Sequence, residues 1–298
     1  MHSPHRLALS LSLLLFAPGC LGSGGDGSAR PPLDLTLADR MAPDSCSAHW
    51  VAGVRGRVVD PSGAPVTEGI VQLCLRTDAG IQVCQRPADI QADGWYGIVI
   101  PEETRCVQQV TLRAAQVARP VSTTFCRAPM EPTYGLLDVW EDLVLYPLEV
   151  PDDRPPMGDE DSMRTVRFPS GLEMDVTPGS FDFPETYDRL TAGPVPLDAA
   201  PCFLDTAPPL LGLWALGPES ASIPGFQVRI PERTGLPDGT RVELWLVGGT
   251  YTQLASGETI DEGVFAPYGT GTVSGGRIVS DPGSELPYLS WVGYRLAP

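Results

Sequence analysis

The cysteines of this chain are its most readable chemical feature, because a thiol can form a disulfide, bind a metal or be modified. Cys20 stands apart near the start, and six more follow at Cys46, Cys74, Cys84, Cys106, Cys126 and Cys202. Zinc sites need closely spaced ligand pairs, and the sequence contains no C-x-x-C motif. The one ligand-like pair is Cys46-x-x-His49, which we interpret as coincidental. In an exported chain an even set of six predicts disulfides and no metal site.

One disulfide can be argued from spacing. Two alternating stretches, Ile70–Arg76 and Ile81–Arg86, flank a turn centred on Ala79. Cys74 and Cys84 are equidistant from Ala79, so a hairpin places them opposite each other with Cβ atoms about 4.5–5.5 Å apart. We therefore predict a Cys74–Cys84 bridge. For the other four cysteines we predict Cys106 with Cys126 and Cys46 with Cys202.

Catalysis lacks most of the residues that it needs. All 20 basic residues are arginine, so no lysine is present for a Schiff base or a Ser-Lys pair. Beyond the first residues His49 is the only imidazole, and no G-x-S-x-G motif occurs. Asp205-Thr206-Ala207 is similar to the Asp-Thr-Gly of aspartic proteases but has no glycine and no second copy. Paired carboxylates for glycoside hydrolysis depend on distances in space, which 37 acidic residues leave open. We predict no catalytic residues, no cofactor and no enzyme.

The charge of the chain is strongly acidic, with a net charge of -17. Such a chain repels nucleic acid, whose binding depends on neutralising phosphates, so we predict no nucleic-acid partner. The acidic and proline-rich residues 150–163 predict an extended, solvated linker. The alternative interpretation of this segment is a calcium site, because carboxylate oxygens bind calcium. Its acidic residues lack the spacing of a calcium-binding loop, and they are Asp152, Asp153, Asp159, Glu160 and Asp161.

Aromatic side chains offer a second kind of site, because they can stack on sugar rings or fill a β-sheet core. The candidates are Trp95, Trp140, Trp214, Trp245, Tyr251, Tyr268, Tyr288 and Trp291. We expect most of them in the core. Trp95 is the exception, since it follows an Asp-Gly turn and alternates with Tyr96, so we predict it as a carbohydrate contact.

The N-terminal residues 1–19 predict a secretory signal peptide, because the apolar run Leu7–Phe16 is too short to span a membrane. The run is followed by Ala17-Pro18-Gly19-Cys20, which resembles the lipidation motif of bacterial lipoproteins. This resemblance implies an acylated Cys20 that anchors the protein to a membrane of the cell envelope, with the outer membrane (surface or periplasmic face) as our prediction. Residues 20–47, which begin with a Gly/Ser-rich stretch, predict a flexible tether.

Residues 48–149 predict a first β-sandwich domain. Asp60–Gly63 and Asp93-Gly94 are turn sequences, and Tyr96, Ile98 and Ile100 share one strand face. The order resembles the carboxypeptidase regulatory-like family, a transthyretin-like β-sandwich that implies an accessory module. The residues that match its pattern are Gly56, Val58, Asp60, Gly63, Pro65, Gly69, Val71, Leu73, Asp93, Gly94 and Tyr96.

Residues 164–298 predict a second β-sandwich domain. Apolar residues alternate with polar ones in three stretches, Leu172–Val176, Phe226–Ile230 and Val242–Leu246, which is typical of half-buried strands. The run Leu210–Leu216 fits either a buried strand or a short helix. The succession of turns resembles β-sandwich modules of large bacterial surface proteins. The fold class predicted for the whole chain is therefore all-β, with two β-sandwich domains in tandem.

Together these patterns favour a non-enzymatic lipoprotein of the cell envelope that acts as a structural or protein-interaction module. The alternative is a carbohydrate-binding surface lipoprotein. The predicted partners are the membrane, through the lipid on Cys20, and an envelope protein or polysaccharide.

Overall fold

The computed structural model describes residues 30–116, 118–130, 135–199, 201–204 and 208–298. The regular secondary structure of the described chain is nearly all β, with 47% of residues in strands, and it forms two sandwich-like domains, as the alternating sequence patterns predict. The predicted signal peptide, the lipidation site Cys20 and the stretch 205–207 lie outside the described residues. Within the described residues, no helix is long and apolar enough to cross a membrane.

The first domain has two layers that share β1. Its strands are β1 (His49–Val59), β2 (Ile70–Thr77), β3 (Gln82–Cys84), β4 (Ala88–Asp89), β5 (Trp95–Val99), β6 (Cys106–Ala115), β7 (Thr124–Arg127), β8 (Gly135–Asp138) and β9 (Leu143–Val144), with a 3-10 helix at Glu102–Thr104. The start of β1 pairs with β6 in the layer that also contains β2, β3, β4 and β7. Further along, β1 pairs with β5 and β8 in the opposite layer. The core lies between the two layers.

Alternation in the sequence matches burial in this core. Tyr96, Ile98 and Ile100 are buried together, as the spacing predicts. Gly56 allows this arrangement because a Cβ atom there would lie 2.5 Å from the hydroxyl of Tyr96. A larger residue at position 56 would therefore displace the Tyr96 side chain from the core.

The second domain is a sheet that closes on itself. Its strands are β10 (Arg164–Arg167), β11 (Glu173–Val176), β12 (Thr191–Pro194), β13 (Gly212–Pro231), β14 (Arg241–Val247), β15 (Thr252–Gln253), β16 (Thr259–Ile260), β17 (Phe265–Ser274), β18 (Arg277–Ser280) and β19 (Leu286–Leu296). Short 3-10 helices lie at Pro178–Ser180, Pro184–Arg189, Leu197–Ala199 and Cys202–Leu204. The run Leu210–Leu216 lies largely in β13 and is a strand rather than a helix.

The long strand β13 closes the sheet because its two halves have different partners. Its first half pairs with β19, and its last residues pair with β11 and β18. The register shifts between Ala215 and Ser220 and again between Ala221 and Phe226. Pro218 and Pro224 lie within these shifts, where a residue without a backbone N–H is tolerated. Strands β13, β18, β17, β14 and β19 thus form a continuous circuit around the second core.

The domains share a third cluster of buried residues, which we call the junction cluster. Phe125, Tyr146 and Leu148 of the first domain meet Val195, Phe203, Leu213, Ala215, Val247, Phe265 and Trp291 of the second. Trp291 is 0% exposed, and its ring lies 5.5 Å from that of Tyr146 and 5.1 Å from that of Phe203. Its indole N–H donates a hydrogen bond of 2.6 Å to the carbonyl oxygen of Thr123. The second domain therefore covers the outer face of the layer that contains β6 and β7.

The disulfides confirm one predicted pair and correct two others. Cys74 and Cys84 are bonded across β2 and β3 as predicted. The predicted pairs Cys106–Cys126 and Cys46–Cys202 are wrong: the bonds are Cys46–Cys106 and Cys126–Cys202. Cys106 is the first residue of β6 and pairs with Trp50 near the start of β1. This pairing brings Cys106 beside Cys46, in the segment that precedes β1. Cys126 in β7 faces the 3-10 helix at Cys202–Leu204, so its bond joins the two domains.

The described part of the predicted tether, residues 30–47, lies against the first domain. The side chains of Leu33 and Leu35 cover the position where Gly53 lacks a Cβ atom. Asp39 forms an ion pair of 2.8 Å with Arg105, and its carbonyl oxygen accepts a hydrogen bond from the Trp50 indole. Apolar contacts, ion pairs and the Cys46–Cys106 bond thus fix a segment whose sequence predicts flexibility.

The predicted extended linker, residues 150–163, instead packs along the second domain. Met157 contacts the second core, and the Pro155 carbonyl oxygen accepts a hydrogen bond from the Tyr187 hydroxyl. The guanidinium of Arg164 donates to the carbonyl oxygens of Pro156 and Met157. These backbone acceptors are absent from a composition-based prediction, which considers only the charges of the side chains.

The bond between the domains predicts a measurable loss of stability. We expect Cys126→Ser/Cys202→Ser to lower the free energy of unfolding by about 4.5 kcal/mol, because the wild-type bond between these cysteines restricts a long loop of the unfolded chain. The control Cys74→Ser/Cys84→Ser opens a much shorter loop and should lose about 2.7 kcal/mol. Urea denaturation followed by circular dichroism measures both. An equal or smaller loss in the first variant would contradict the arrangement.

Candidate functional site

A groove with a volume of about 770 Å³ opens between the two domains. The end of β6 and residues 118–121 line its first-domain wall. The second-domain wall contains residues 182–191 and 218–221, with Thr250, Tyr251 and Tyr288 beside them. Because the walls come from different domains, the groove depends on the contacts of the junction cluster.

An ion pair connects the two walls of this groove. Arg113 in β6 lies 2.8 Å from the Glu219 carboxylate in β13 and also donates to the Thr250 hydroxyl at 3.2 Å. The Tyr288 hydroxyl donates a hydrogen bond to the same carboxylate. Burial and the neighbouring Glu219 charge raise the pKa of Tyr288, so its hydroxyl stays protonated and keeps its role as a donor. The pair therefore fixes Arg113 and Glu219 in place.

Four exposed side chains on the second-domain wall face solvent with different chemistry. Tyr251 is 85% exposed and Phe183 is 65% exposed, so both rings are open to a ligand. Asp182 and Glu185 are also exposed and flank Phe183. The wall thus offers two aromatic faces together with carboxylate acceptors.

Two arginines line opposite walls of the groove. Arg119 belongs to the first domain and Arg189 to the second, and both are exposed. Among the described residues neither guanidinium has an ion pair or a hydrogen bond. This distinguishes both of them from Arg113, which Glu219 neutralises.

The predicted carbohydrate contact Trp95 lies elsewhere, on the outside of the first domain. Its side chain is half-buried, and the Arg30 guanidinium lies 5.8 Å from the centre of its ring. The same guanidinium lies 3.7 Å from the centre of the Trp140 ring and 3.4 Å from the Asp138 carboxylate. Trp140, which is 77% exposed, therefore presents more aromatic surface than Trp95. The structure does not bring either tryptophan into the groove.

The other aromatic candidates divide between core and surface. Trp214, Tyr268, Tyr288 and Trp291 are buried, as expected for core residues, and Trp245 is partly buried. Tyr251 is the member of the predicted set that the structure places in the groove with an exposed ring. Sequence reasoning assigned it no special role, because its exposure depends on the loop between β14 and β15.

A buried carboxylate lies where the first hairpin touches the second domain. Glu262 is 4% exposed and accepts a hydrogen bond of 3.0 Å from the Gln82 amide. Its other carboxylate oxygen has no partner among the described residues. Burial raises the pKa of Glu262, and nearby Arg113 partly opposes this effect. The charged form is therefore destabilised in the folded protein.

Metal binding finds little support in the side chains around Glu262. Its carboxylate oxygen and the sulfur atoms of Cys74 and Cys84 lie within 4.8 Å of one another. Both sulfur atoms are bonded to each other, so they have no thiolate to offer a metal. Likewise Cys46 is bonded to Cys106, which removes the thiol of the Cys46-x-x-His49 pair.

The predicted acidic linker cluster is divided among separate contacts. Asp153 forms an ion pair of 2.6 Å with Arg167. Asp159 accepts hydrogen bonds from the Ser162 hydroxyl and the Asp161 amide, which lower the pKa of its carboxyl group. These contacts satisfy the carboxylates of Asp153 and Asp159 within the segment and its neighbouring strand.

Comparison with protein-family models and curated proteins gives no relative on which to base a function. The sequence matches no family model and has no significant match among curated proteins. The resemblances stated above thus remain hypotheses, and the geometry of the chain itself carries the functional argument.

The buried Glu262 predicts an unusual dependence of stability on pH. A carboxyl group whose pKa is raised on folding stabilises the fold while protonated, and this contribution is lost as the pH rises above its unfolded pKa of about 4.3. We expect Glu262→Gln to be more stable than wild type at neutral pH, with the difference shrinking towards pH 4. Urea denaturation across this range measures it.

The exposed variant Glu68→Gln serves as the control for Glu262→Gln, because it removes one acidic charge without removing a buried one. We expect its unfolding free energy to follow that of wild type across the same pH range. A loss of stability in Glu262→Gln at neutral pH would contradict the assignment, because it would show that the buried charge stabilises the junction.

Proposed function

We propose that this chain is a non-enzymatic lipoprotein of the cell envelope whose two domains act as one rigid module for protein contacts. The observation that carries the proposal is the union of the domains by the junction cluster and the Cys126–Cys202 bond. Domains normally move relative to each other unless their interface is large and hydrophobic. A fixed pair of domains is suited to present a surface at a constant distance and orientation.

The packing of the N-terminal segment supports a role close to the membrane. Residues 30–47 lie against the first domain, so the chain from Cys20 to Arg30 is the remaining spacer. Fully extended, these residues span at most about 36 Å. A lipid on Cys20 would therefore hold the body near the membrane surface. The resemblance of the first domain to carboxypeptidase regulatory-like modules supports an accessory role there.

Membrane attachment and partner contact are tested together. We expect Cys20→Ala to move the protein from the membrane fraction to the soluble fraction, because the variant lacks the acylated thiol. Chemical cross-linking in intact cells should give one discrete adduct with an envelope protein in wild type and none in the variant.

Treatment of intact and permeabilised cells with trypsin, which cleaves after exposed arginines such as Arg40 and Arg233, shows which side of the outer membrane displays the body.

Two results would count against this proposal. If Cys20→Ala stayed in the membrane fraction, the proposed lipid anchor on Cys20 would be contradicted. Hydrolytic turnover by the purified protein would contradict the non-enzymatic assignment, and the paired-carboxylate alternative of the sequence analysis would then replace it.

Carbohydrate binding is a second candidate function, which the exposed aromatic side chains favour. Tyr251 and Phe183 in the groove present open rings, and sugar rings stack on such faces. Arg30 lies beside Trp95, which makes the groove the better supported location. We expect retarded migration of the protein in native gels that contain a polysaccharide. Unchanged migration with every neutral and acidic polysaccharide would exclude this candidate and leave the first proposal intact.

A further inference from the structure

We infer that the groove between the domains binds an acidic oligosaccharide, a chain of sugars that carry carboxylate groups. This inference rests on the second candidate function and names its ligand class and its site. The groove volume of about 770 Å³ lies within the range of about 300–1,000 Å³ that is usual for ligand sites. Its open shape between two fixed walls suits a segment of a polymer.

The aromatic residues provide the faces on which sugar rings stack. Tyr251 and Phe183 line the same groove and are both largely exposed to solvent. Exposed aromatic rings expose apolar surface to water, and the C–H face of a pyranose ring covers such surface without loss of its hydroxyl hydration. Two rings in one groove therefore favour a ligand with more than one sugar unit.

The arginines identify the charge of the ligand. Arg119 and Arg189 approach from opposite walls, and within the described chain each lacks an ion-pair partner. A guanidinium group presents paired N–H donors that match the two oxygens of a carboxylate. In a chain of net charge -17, these two cations offset the carboxylates of Asp182 and Glu185 in the groove and give two points at which an anion can bind.

The carboxylates of the groove distinguish a saccharide from an acidic peptide. Asp182 and Glu185 lie on the same wall as Arg189 and would repel a ligand with a carboxylate on every unit, such as a run of aspartate and glutamate residues. They are good acceptors for hydroxyl groups, which sugars supply in quantity. A ligand that carries both hydroxyl donors and carboxylates satisfies both kinds of side chain.

The ion pair between Arg113 and Glu219 keeps the site in shape. It joins β6 of the first domain to β13 of the second within the groove. Because each member neutralises the other, this pair leaves the ligand charge to Arg119 and Arg189. Its function in the site is positioning rather than contact with the anion.

Binding is measured with the full-length protein in detergent micelles. The probe is a fluorescently labelled hyaluronan oligosaccharide, in which every second sugar carries a carboxylate, and its anisotropy gives the dissociation constant. The matched probe is the carboxyl-reduced form of the same oligosaccharide, which keeps the linkage and loses the charge. We expect binding of the acidic probe to be at least about tenfold tighter, as for a charged hydrogen-bonded pair, and to weaken with added salt.

Variants locate the site within the chain. We expect Arg119→Gln and Arg189→Gln each to weaken binding about tenfold, since each removes a guanidinium partner of a carboxylate. Tyr251→Ala should weaken it about fivefold through loss of stacking. The controls are Arg86→Gln and Trp140→Ala, which change an exposed arginine and an exposed tryptophan outside the groove lining. Both should bind as wild type does.

Three results would overturn the inference. Equal binding of the carboxyl-reduced probe would retain carbohydrate binding and remove the acidic specificity. Equal binding of labelled polyglutamate, lost in the same variants, would assign the groove to an acidic peptide. Binding of neither oligosaccharide would exclude the groove as a carbohydrate site, and retention of a neutral polysaccharide in native gels would then place the second candidate function elsewhere.

Discussion

Burial of the outer face of β6 and β7 is the contact on which the rest of this structure depends. The inner face of this layer packs in the first core, through Leu112 and Cys126, while Phe125 points into the junction cluster. A layer that is covered on both faces cannot separate from either side without exposing apolar surface, at roughly 25 cal/mol for each Å². The hydrogen bond from Trp291 to the Thr123 carbonyl and the Cys126–Cys202 bond then fix the orientation of the two domains. The groove, its facing walls and the ion pair across it all follow from that orientation.

Local patterns in the sequence predicted what is local in the fold. Period-two alternation identified β2, β5, β11, the end of β13 and β14, and equal spacing around Ala79 identified the Cys74–Cys84 bridge, because a hairpin sets its own register. The other two bridges join segments whose proximity depends on how whole layers pack, so spacing along the chain carries no information about them. The closure of the second domain through β13 and β19 is equally non-local. The covered layer leaves one signal in the sequence: Phe125 and Cys126 are adjacent apolar residues, which breaks the alternation of a half-buried strand, and the structure buries both.

The meeting of Arg119 and Arg189 in one groove was out of reach of sequence reasoning for the same physical reason. Arg119 and Arg189 are far apart along the chain and become neighbours of one groove only when the junction forms. Trp95 was selected because its position after a turn is a local property, whereas the contact of its ring with Arg30 comes from a segment that composition describes as a tether. Formation of the junction cluster has an energetic cost, because it buries the carboxylate of Glu262. Its burial raises the pKa of a carboxylate in an already acidic protein, which aromatic packing and the disulfide must offset.

The Cys46–Cys106 bond also has a mechanical consequence for a protein held by its N-terminus. Tension applied through a lipid on Cys20 would first peel residues 30–45 from the surface of the first domain, where Leu33 and Asp39 resist through non-covalent contacts alone. At Cys46 the load passes through a covalent bond into the start of β6, a strand flanked by β2 and β7. The force is then shared by a hydrogen-bonded layer in the interior of the molecule instead of unzipping β1 from its end. Under the proposed anchoring, an external force would extend residues 30–45 before it reached the part of the molecule that forms the groove.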